Sequence, residues 1–415
     1  MRILIVSPHF PPWDSVASLR LHAFARAWAD AGEDVCVLTT QKRPEHATEP
    51  RDCAGIQVHE VDFAIPRSLE RFRGSRSGQR EAGSPPVQKS GFLNRLRKKT
   101  GIFGSIRMPD LTDWWVKPAI ARGKNLGSFD VVFASVGPYT SLRVGAALAG
   151  GALLVADYRD LWTDNQIFSG LFPFTLYERA LENALLAQAG FITTVSEPLA
   201  KRLRGRTDAA VRVVPNGYVE ADFAGLDPAP FFRDRSVWRI GFTGRIYWPG
   251  HDPRPLLRAI AGVPDTKMVV AGPDASLWHQ LAAECGAEDR LEHVGNLPRR
   301  DALRLQRDCD ALAVFEWRDA HEGQMSTKVF EYLRAGPEIL VIGGPRDGSV
   351  AALVSGVGRG EALGSDKEII RARICEMSSP GARRTGNARA QVGQYERSAQ
   401  ARALLDELRR LRPHR

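Results

Sequence analysis

Residues 323–344 read G-Q-M-S-T-K-V-F-E-Y-L-R-A-G-P-E-I-L-V-I-G-G. A polar loop opens the stretch. A short helix carrying Lys328 and Glu331 follows and stops at Ala335-Gly336. The apolar run 339–342 then reads as a buried strand that leads into Gly343-Gly344. Lys328 and Glu331 are three residues apart, so a helix places them on one face. That face lies at the helix N-terminus, where free backbone N–H groups favour anions. A cation for a phosphate beside a carboxylate for ribose hydroxyls is one way to hold a nucleotide-sugar.

The same alternation of apolar runs and helical spacing extends outward. Residues 2–6 form a continuous apolar run, read as a buried parallel strand, and Ser7-Pro8-His9-Phe10-Pro11-Pro12 breaks it. Leu21, Phe24, Ala25 and Trp28 then recur at helical spacing up to Gly32, and 35–39 reads as a second strand. This βαβ opening predicts an α/β sheet with crossovers. Further strands are expected at 130–135, 153–156, 191–195 and 211–214. Between 222 and 234 the composition shifts to Pro, Phe and Asp, which reads as a linker. The pattern restarts with strands at 239–243, 267–271, 291–294 and 311–315, and 391–412 reads as one long amphipathic helix. A chain of 415 residues is long for one domain. The expected fold is α/β, with two facing Rossmann-like domains, 1–222 and 223–390, and a cleft between them. Residues 391–415 are expected to pack back on the first domain. Ligands of such sheets sit at the carboxyl ends of the strands.

Composition removes several classes. Hydrophobic content of 43% and charged content of 25% are those of a globular protein. Cys36, Cys53, Cys285, Cys309 and Cys375 are scattered, odd in number and without a C-x-x-C pair, which argues for reduced thiols in a cytoplasmic setting. The apolar start ends at Ser7-Pro8, too soon for a signal peptide, and no window is apolar enough to span a membrane. No G-x-G-x-x-G opens the first helix, so a dehydrogenase is not expected.

The net charge of +9 is localised. Residues 67–107 hold about 11 Lys/Arg against Glu70 and Glu81, as much excess as the whole chain carries. Residues 67–80 read as a solvated insert. Phe92, Leu93, Leu96, Ile102 and Phe103, interleaved with Arg and Lys, suit an anionic membrane surface or a lipid diphosphate. Asp113-Trp114-Trp115 either extends that edge or packs inside. No nucleic-acid motif accompanies the charge, so nucleic acid is not an expected partner.

The chain resembles the retaining glycosyltransferases of family 4, in the subgroup that builds bacterial surface polysaccharides such as lipopolysaccharide. The resemblance rests on I-V-S-P-H-F-P-P (5–12), S-V-G-P-Y-T (135–140), A-D-Y-R-D-L-W-T-D-N (156–165), V-S-E-P-L (195–199), V-V-P-N-G (213–217), G-F-T-G-R (241–245), V-V-A-G-P (269–273), H-V-G-N-L-P (293–298) and S-T-K-V-F-E-Y-L-R-A-G-P (326–337), in the family's order. It implies a nucleoside-diphosphate sugar as donor, UDP-linked by preference, and a lipid-linked or saccharide acceptor. It also implies retention of configuration and no metal or other cofactor, and the basic-aromatic segment adds the expectation of a cytoplasmic protein that works at the inner face of the cytoplasmic membrane.

Position by position, the resemblance assigns Glu331 to the nucleotide ribose. Arg245 goes to the donor diphosphate, with Lys328 as a second phosphate contact and Gly244 and Thr327 beside them. Val294, Gly295, Asn296 and Leu297 match the loop that meets the base. The family's other glutamate, eight positions before Glu331, is replaced by Gly323 with Glu322 beside it. The usual lysine after Arg245 is also missing, with His251 or Arg254 in its neighbourhood. In the first half, Trp13-Asp14-Ser15-Val16-Ala17-Ser18 replaces the usual glycines, and Arg20 sits just inside the following helix.

Asp157-Tyr158-Arg159-Asp160 ends a buried strand. Asp160 is the first choice for the acceptor hydroxyl, with His9, Ser15, Arg20, Asp157 and Arg159 as further acceptor contacts. The alternative is a structural ion-pair cluster of Asp157, Arg159 and Asp160 with Trp162 packed over it. For Lys328 and Glu331 the alternative is a surface ion pair. Asp308-Cys309-Asp310 spells D-x-D, a metal-nucleotide signature, but lies where a helix passes into a strand, so a turn role is expected and no metal site. Two other activities fit the same outline, a nucleotide-sugar epimerase and an inactive sugar-nucleotide-binding protein.

Overall fold

The computed structural model describes residues 1–13, 15–42, 51–64, 96–97, 99–104, 106–165, 167–317, 325–379 and 389–412. Most of the basic segment 67–107, Asp14, Glu322 and Gly323 therefore lie outside the described residues. The chain divides into two compact units, Met1–Pro215 with Gln400–Arg415, and Asn216–Ala399.

The first unit is built on a seven-stranded sheet. Its strands are β1 (Arg2–Val6), β2 (Asp34–Thr40), β3 (Ile56–Val61), β4 (Val131–Val136), β5 (Leu153–Tyr158), β6 (Phe191–Thr194) and β7 (Ala210–Val213), in the order β3-β2-β1-β4-β5-β6-β7. All pairings are parallel. Alternate side chains feed two cores, one per face, as the twofold strand repeat requires. Leu4, Val6, Val132 and Ala134 face one core, and Ile3, Ile5, Val131 and Phe133 face the other. With both faces covered, the inner strands β1, β4 and β5 carry apolar runs, which is why they were legible.

The second unit repeats the plan. Strands β8 (Trp238–Thr243), β9 (Thr266–Ala271), β10 (Leu291–His293), β11 (Ala311–Phe315), β12 (Glu338–Ile342) and β13 (Gly360–Gly364) are all parallel and follow the order β10-β9-β8-β11-β12-β13. In each sheet the order reverses beside its first strand, between β1 and β4 and between β8 and β11. Crevices for ligands open at the carboxyl ends of strands at such switch points. The expected α/β class with two Rossmann-like domains is borne out.

Three details differ from the sequence reading. The units divide at Pro215–Asn216, ahead of the segment read as a linker. Phe223, Leu226 and Phe232 of that segment are buried in the second unit's core, and Arg239 lies 4.4 Å over the Phe232 ring. Apolar anchors within a Pro- and Asp-rich stretch made it part of a domain. The single helix expected over 391–412 is two helices, Arg389–Val392 and Arg397–Leu411, with a tight turn at Gly393–Tyr395. Ala401, Leu404, Leu405 and Leu408 of the second helix lie in the first unit's core, and Trp28 Nε1 donates to the Ala401 carbonyl at 2.8 Å.

Third, Arg107 is not part of a solvated basic edge. It is buried and bonds Glu178 at 2.8 Å, while Glu178 also accepts from the Met108 amide and Trp162 Nε1. Trp115 is likewise buried, whereas Trp114 is exposed. Asp113 accepts from the Tyr139 hydroxyl at 2.6 Å and from Arg143 at 2.7 Å.

Candidate functional site

The donor-side residues named from the sequence gather at the carboxyl edge of the second sheet. Glycines follow three neighbouring strands there, Gly244 after β8, Gly272 after β9 and Gly295 after β10. The Gly244 amide donates to the Ala271 carbonyl at 2.7 Å, and the Gly272 amide donates to the Gly295 carbonyl at 2.8 Å. The approach is too close for side chains. A Cβ on Gly272 would lie 2.3 Å from the Gly244 carbonyl oxygen, and one on Gly244 would meet Lys328 Cε at 2.7 Å. Gly244 also has φ of +100°, which an L side chain adopts only with strain. The result is a bare backbone ledge under Lys328.

The helix Lys328–Ala335 starts above this ledge. Its apolar face, Val329, Phe330, Tyr332 and Leu333, is buried. The Tyr332 hydroxyl accepts from the Thr243 amide at 2.9 Å, which ties the helix to the end of β8. Thr327 occupies the N-cap position without a side-chain capping bond, so it does not consume the helix-start donors. At the other end, Gly336 closes the helix and Arg359 donates to its carbonyl at 2.8 Å.

Lys328 Nζ reaches the Arg245 carbonyl at 3.5 Å and lies 5.3 Å from the Phe242 ring centre. Burial lowers its pKa, opposed by the nearby Glu331 carboxylate. An anion arriving here would meet a half-desolvated cation, where charge attraction is stronger than in water. Arg245 is exposed, with Nε 3.9 Å from Asp274 Oδ2. His251 is pushed down to about 4 by burial and by Lys328, so it is neutral at pH 7.

Glu331 is not paired with Lys328 as in a surface ion pair. Its Oε1 accepts from Arg299 Nη2 at 2.8 Å, and Arg299 also bonds Asp222 Oδ2 at 2.6 Å. Burial alone would lower the Arg299 pKa, but Glu331 and Asp222 hold it above its ordinary value. Arg299 is thus a fixed cation that orients the Glu331 carboxylate and leaves it partly open. Residues 294–297, matched from the sequence to a base-contacting loop, sit at the end of β10. Val294 and Leu297 pack against the core, Gly295 takes φ of +75°, and Asn296 is exposed.

Sequence reasoning missed Arg299 and Asp222, whose role depends on contacts 32 and 77 residues away in the chain. It also missed Glu316, which follows β11 at the switch point. Burial raises the Glu316 pKa to about 7. A Cβ on Gly344 would lie 3.0 Å from Glu316 Oε2, so the second glycine turn exists to let this carboxylate in.

The acceptor-side residues of the first unit do not form one surface. Arg20 and Asp157, expected as acceptor contacts, are sealed inside. Arg20 Nη2 bonds Asp157 Oδ1 at 3.1 Å and the Val214 carbonyl at 3.0 Å, and Nη1 bonds the Pro215 carbonyl at 3.0 Å. Asp157 accepts further bonds from Ser135 and Thr193. This pair sews the helix Val16–Asp30 to β5 and to the end of the unit. Ser15 caps that helix by accepting from the Ser18 amide at 3.1 Å. Arg159 donates to the Gly137 carbonyl, and Asp160 is exposed. Trp162 does not pack over the acids; it stacks on Tyr139 at 4.7 Å. His9 is held by Ser7, whose hydroxyl bonds both its amide and its carbonyl, and its ring lies 4.7 Å from Trp13. Beneath this loop, Lys42 donates to the Pro8 carbonyl at 3.0 Å, and burial pushes its pKa down to about 7.

The D-x-D triplet serves structure. Asp308 accepts from the Phe232 amide at 2.8 Å and from Arg235, and Asp310 accepts from the Arg239 amide at 2.9 Å. The two carboxylates are spent on different partners.

Residues 17–217 match the family model described as Glycosyl transferase 4-like domain. None of the curated proteins matches the sequence significantly. Among solved structures, sucrose-phosphate synthase (tll1590) from Thermosynechococcus elongatus is similar over 99% of each chain, with TM-score 0.65 and 16% identity. Anabaena Alr3699/HepE, solved in complex with UDP and glucose, aligns over 99% of this chain and 100% of its own, with TM-score 0.62 and 15% identity. An alpha,alpha-trehalose-phosphate synthase (UDP-forming) from Burkholderia vietnamiensis aligns over 99% of both, with TM-score 0.60 and 12% identity. The chain has the fold of these proteins, the two-domain Rossmann-like fold of glycosyltransferase B type, and its residues 17–217 carry the signature of the glycosyl transferase 4-like domain.

Proposed function

We propose that the protein is a glycosyltransferase that moves a sugar from a nucleoside-diphosphate sugar to an acceptor hydroxyl. The observation that carries this reading is the grouping of Lys328, Arg245 and the Arg299-held Glu331 around the glycine ledge of the second sheet. Glu331 accepts from the ribose hydroxyls. Arg245, Lys328 and the start of the helix Lys328–Ala335 meet the diphosphate and stabilise its growing charge as the glycosidic bond breaks. No step calls for a metal, because these cations supply the counter-charge. A UDP-sugar is the favoured donor, supported by the UDP in the names of the Anabaena and Burkholderia neighbours.

The acceptor belongs to the first unit, with Asp160, Arg159 and His9 as its contacts. Sealing of Arg20 and Asp157 removes those two from direct contact and leaves them a supporting role. In this reading the acceptor is a lipid-linked or saccharide hydroxyl, configuration is retained, and the product enters a cell-surface polysaccharide. The work takes place at the cytoplasmic face of an anionic membrane.

A panel of UDP-, GDP- and dTDP-sugars in thermal unfolding tests the donor reading. Ligand that binds only the folded form raises Tm, so a rise is expected with UDP-sugars. A panel without effect, confirmed by calorimetry, removes the proposal. Product stereochemistry with a competent pair tests retention, and an inverted anomer overturns that part.

A further inference from the structure

The large exposed apolar side chains of the first unit concentrate at one helix start. Residues 172–177 read F-P-F-T-L-Y, without a charge, and form the lead-in and first turn of the helix Phe174–Leu186. Phe172 is 75% exposed, Leu176 66% and Tyr177 55%. The next residue, Glu178, is fully buried against Arg107. The usual order is inverted here, with the carboxylate inside and the aromatic and aliphatic groups in water. Apolar surface gathered in this way marks an interaction site.

A second observation identifies the partner. The basic segment is stitched to the lead-in of this tip. The Ser169 amide donates to the Lys99 carbonyl at 3.3 Å, and the Gly170 amide donates to the Thr100 carbonyl at 3.1 Å. A Cβ on Gly101 would lie 2.8 Å from Phe168, so the two strands of chain are in contact. Lys99 is exposed, Arg97 is half-buried, and Phe103 is exposed just beyond them. Two acids of the described residues on this side already have cationic partners. Glu178 is held by Arg107, and Asp164 by Arg179 and Arg206. A neutral aromatic tip beside Lys99 and Arg97, for which no acidic partner occurs among the described residues, matches the headgroup region of an anionic bilayer. There apolar groups enter the acyl boundary while Lys and Arg meet lipid phosphates.

We propose that this face docks the protein on an anionic lipid surface, with Phe172, Leu176 and Tyr177 inserted and Lys99 and Arg97 at the phosphates. It gives the membrane contact of the proposed function a definite surface, and it does not depend on donor chemistry.

Flotation of the full chain with vesicles tests it. Wild-type protein is expected to float with phosphatidylglycerol/phosphatidylcholine vesicles at low salt, to lose binding as salt rises, and to stay down with phosphatidylcholine alone. The double variant Phe172→Ser/Leu176→Ser is expected to lose about tenfold or more in vesicle affinity with Tm unchanged. Lys99→Glu is expected to weaken binding by a smaller factor of about threefold to fivefold, and only at low salt. Should the double variant fail to fold, Lys99→Glu and the lipid and salt series still decide. Equal flotation of wild type and variants, or no flotation of wild type, overturns the proposal. So does a wild-type dimer in light scattering that the double variant dissolves without any vesicle binding, which makes the occupant a second copy. UDP calorimetry on the same samples keeps the two readings apart. Loss of UDP binding by wild type with flotation intact removes the donor proposal and not this one.

Discussion

Each sheet carries an arginine–carboxylate contact at its carboxyl edge, and the two are finished differently. Arg20 and Asp157 meet at 3.1 Å with side-chain exposures of 1% and 0%, and the Val214 carbonyl and the Thr193 hydroxyl add further bonds. Arg299 and Glu331 meet at 2.8 Å with 21% exposure each, beside Lys328 and a ledge stripped to glycine backbone. A charge that is wholly enclosed must be answered by the fold itself, because leaving it unpaired is costly. A charge held on one side and open on the other is oriented for something that arrives. An arginine–carboxylate contact is thus closed into the first unit's interior and left partly open in the second, where the proposed donor site lies.

Replacing Asp157 by Ala should break the comparison most severely. It leaves Arg20 buried without its counter-charge, for an expected loss of about 3–5 kcal/mol of stability. Denaturant unfolding measures it, and a change below about 1 kcal/mol would show that the pair is not structural. Glu331→Ala should do the reverse, with the fold retained and UDP affinity reduced. Hydrogen bonds to charged groups are worth about 1.5–3 kcal/mol, or roughly 10- to 100-fold. Unchanged affinity in calorimetry would return Glu331 to the status of an ordinary surface acid.

Gly244→Ala sharpens the ledge side of the argument. The positive φ alone costs about 1–2 kcal/mol, and the new methyl displaces Lys328. Stability and UDP affinity should fall together, whereas a loss of stability alone would separate the ledge from the site. An effect confined to neutral and higher pH is expected at Glu316. Its folded pKa is raised from 4.5 to about 7, so the folded state holds a proton that the unfolded state has lost between those values. Its contribution to stability is present below pH 4.5 and is lost as pH rises through 7. Glu316→Gln should therefore raise Tm relative to wild type at pH 8 and leave it nearly unchanged at pH 4.5. An equal shift at both values would mean that the carboxylate is not desolvated.

Much of this architecture could be read in advance because its signals are local. The apolar run within 130–135 reads as a buried strand, and the structure has it at Val131–Val136 with all six side chains buried. Lys328 and Glu331 had to share a helix face whatever the helix packed against. The misreadings came from residues whose partners are distant. Phe223 and Phe232 looked like linker because Pro and Asp surround them, yet the second core takes both in. Arg107 looked like one more cation in a basic run until Glu178 met it from 71 residues away. Glu316 carries no sequence signal of its own, and only the close approach of Gly344 shows it enclosed.

By itself, the amino-acid order settled two series of parallel strands and one helix start bearing a cation and a carboxylate. Periodicity and turn chemistry act over a few residues and need no knowledge of the rest. Tertiary structure alone decided which charges are spent. Burial of an ionic group depends on whether a partner from elsewhere in the chain reaches it. Asp157 found Arg20, Ser135 and Thr193 and was closed off, while Glu331 found Arg299 on one side and stayed open on the other.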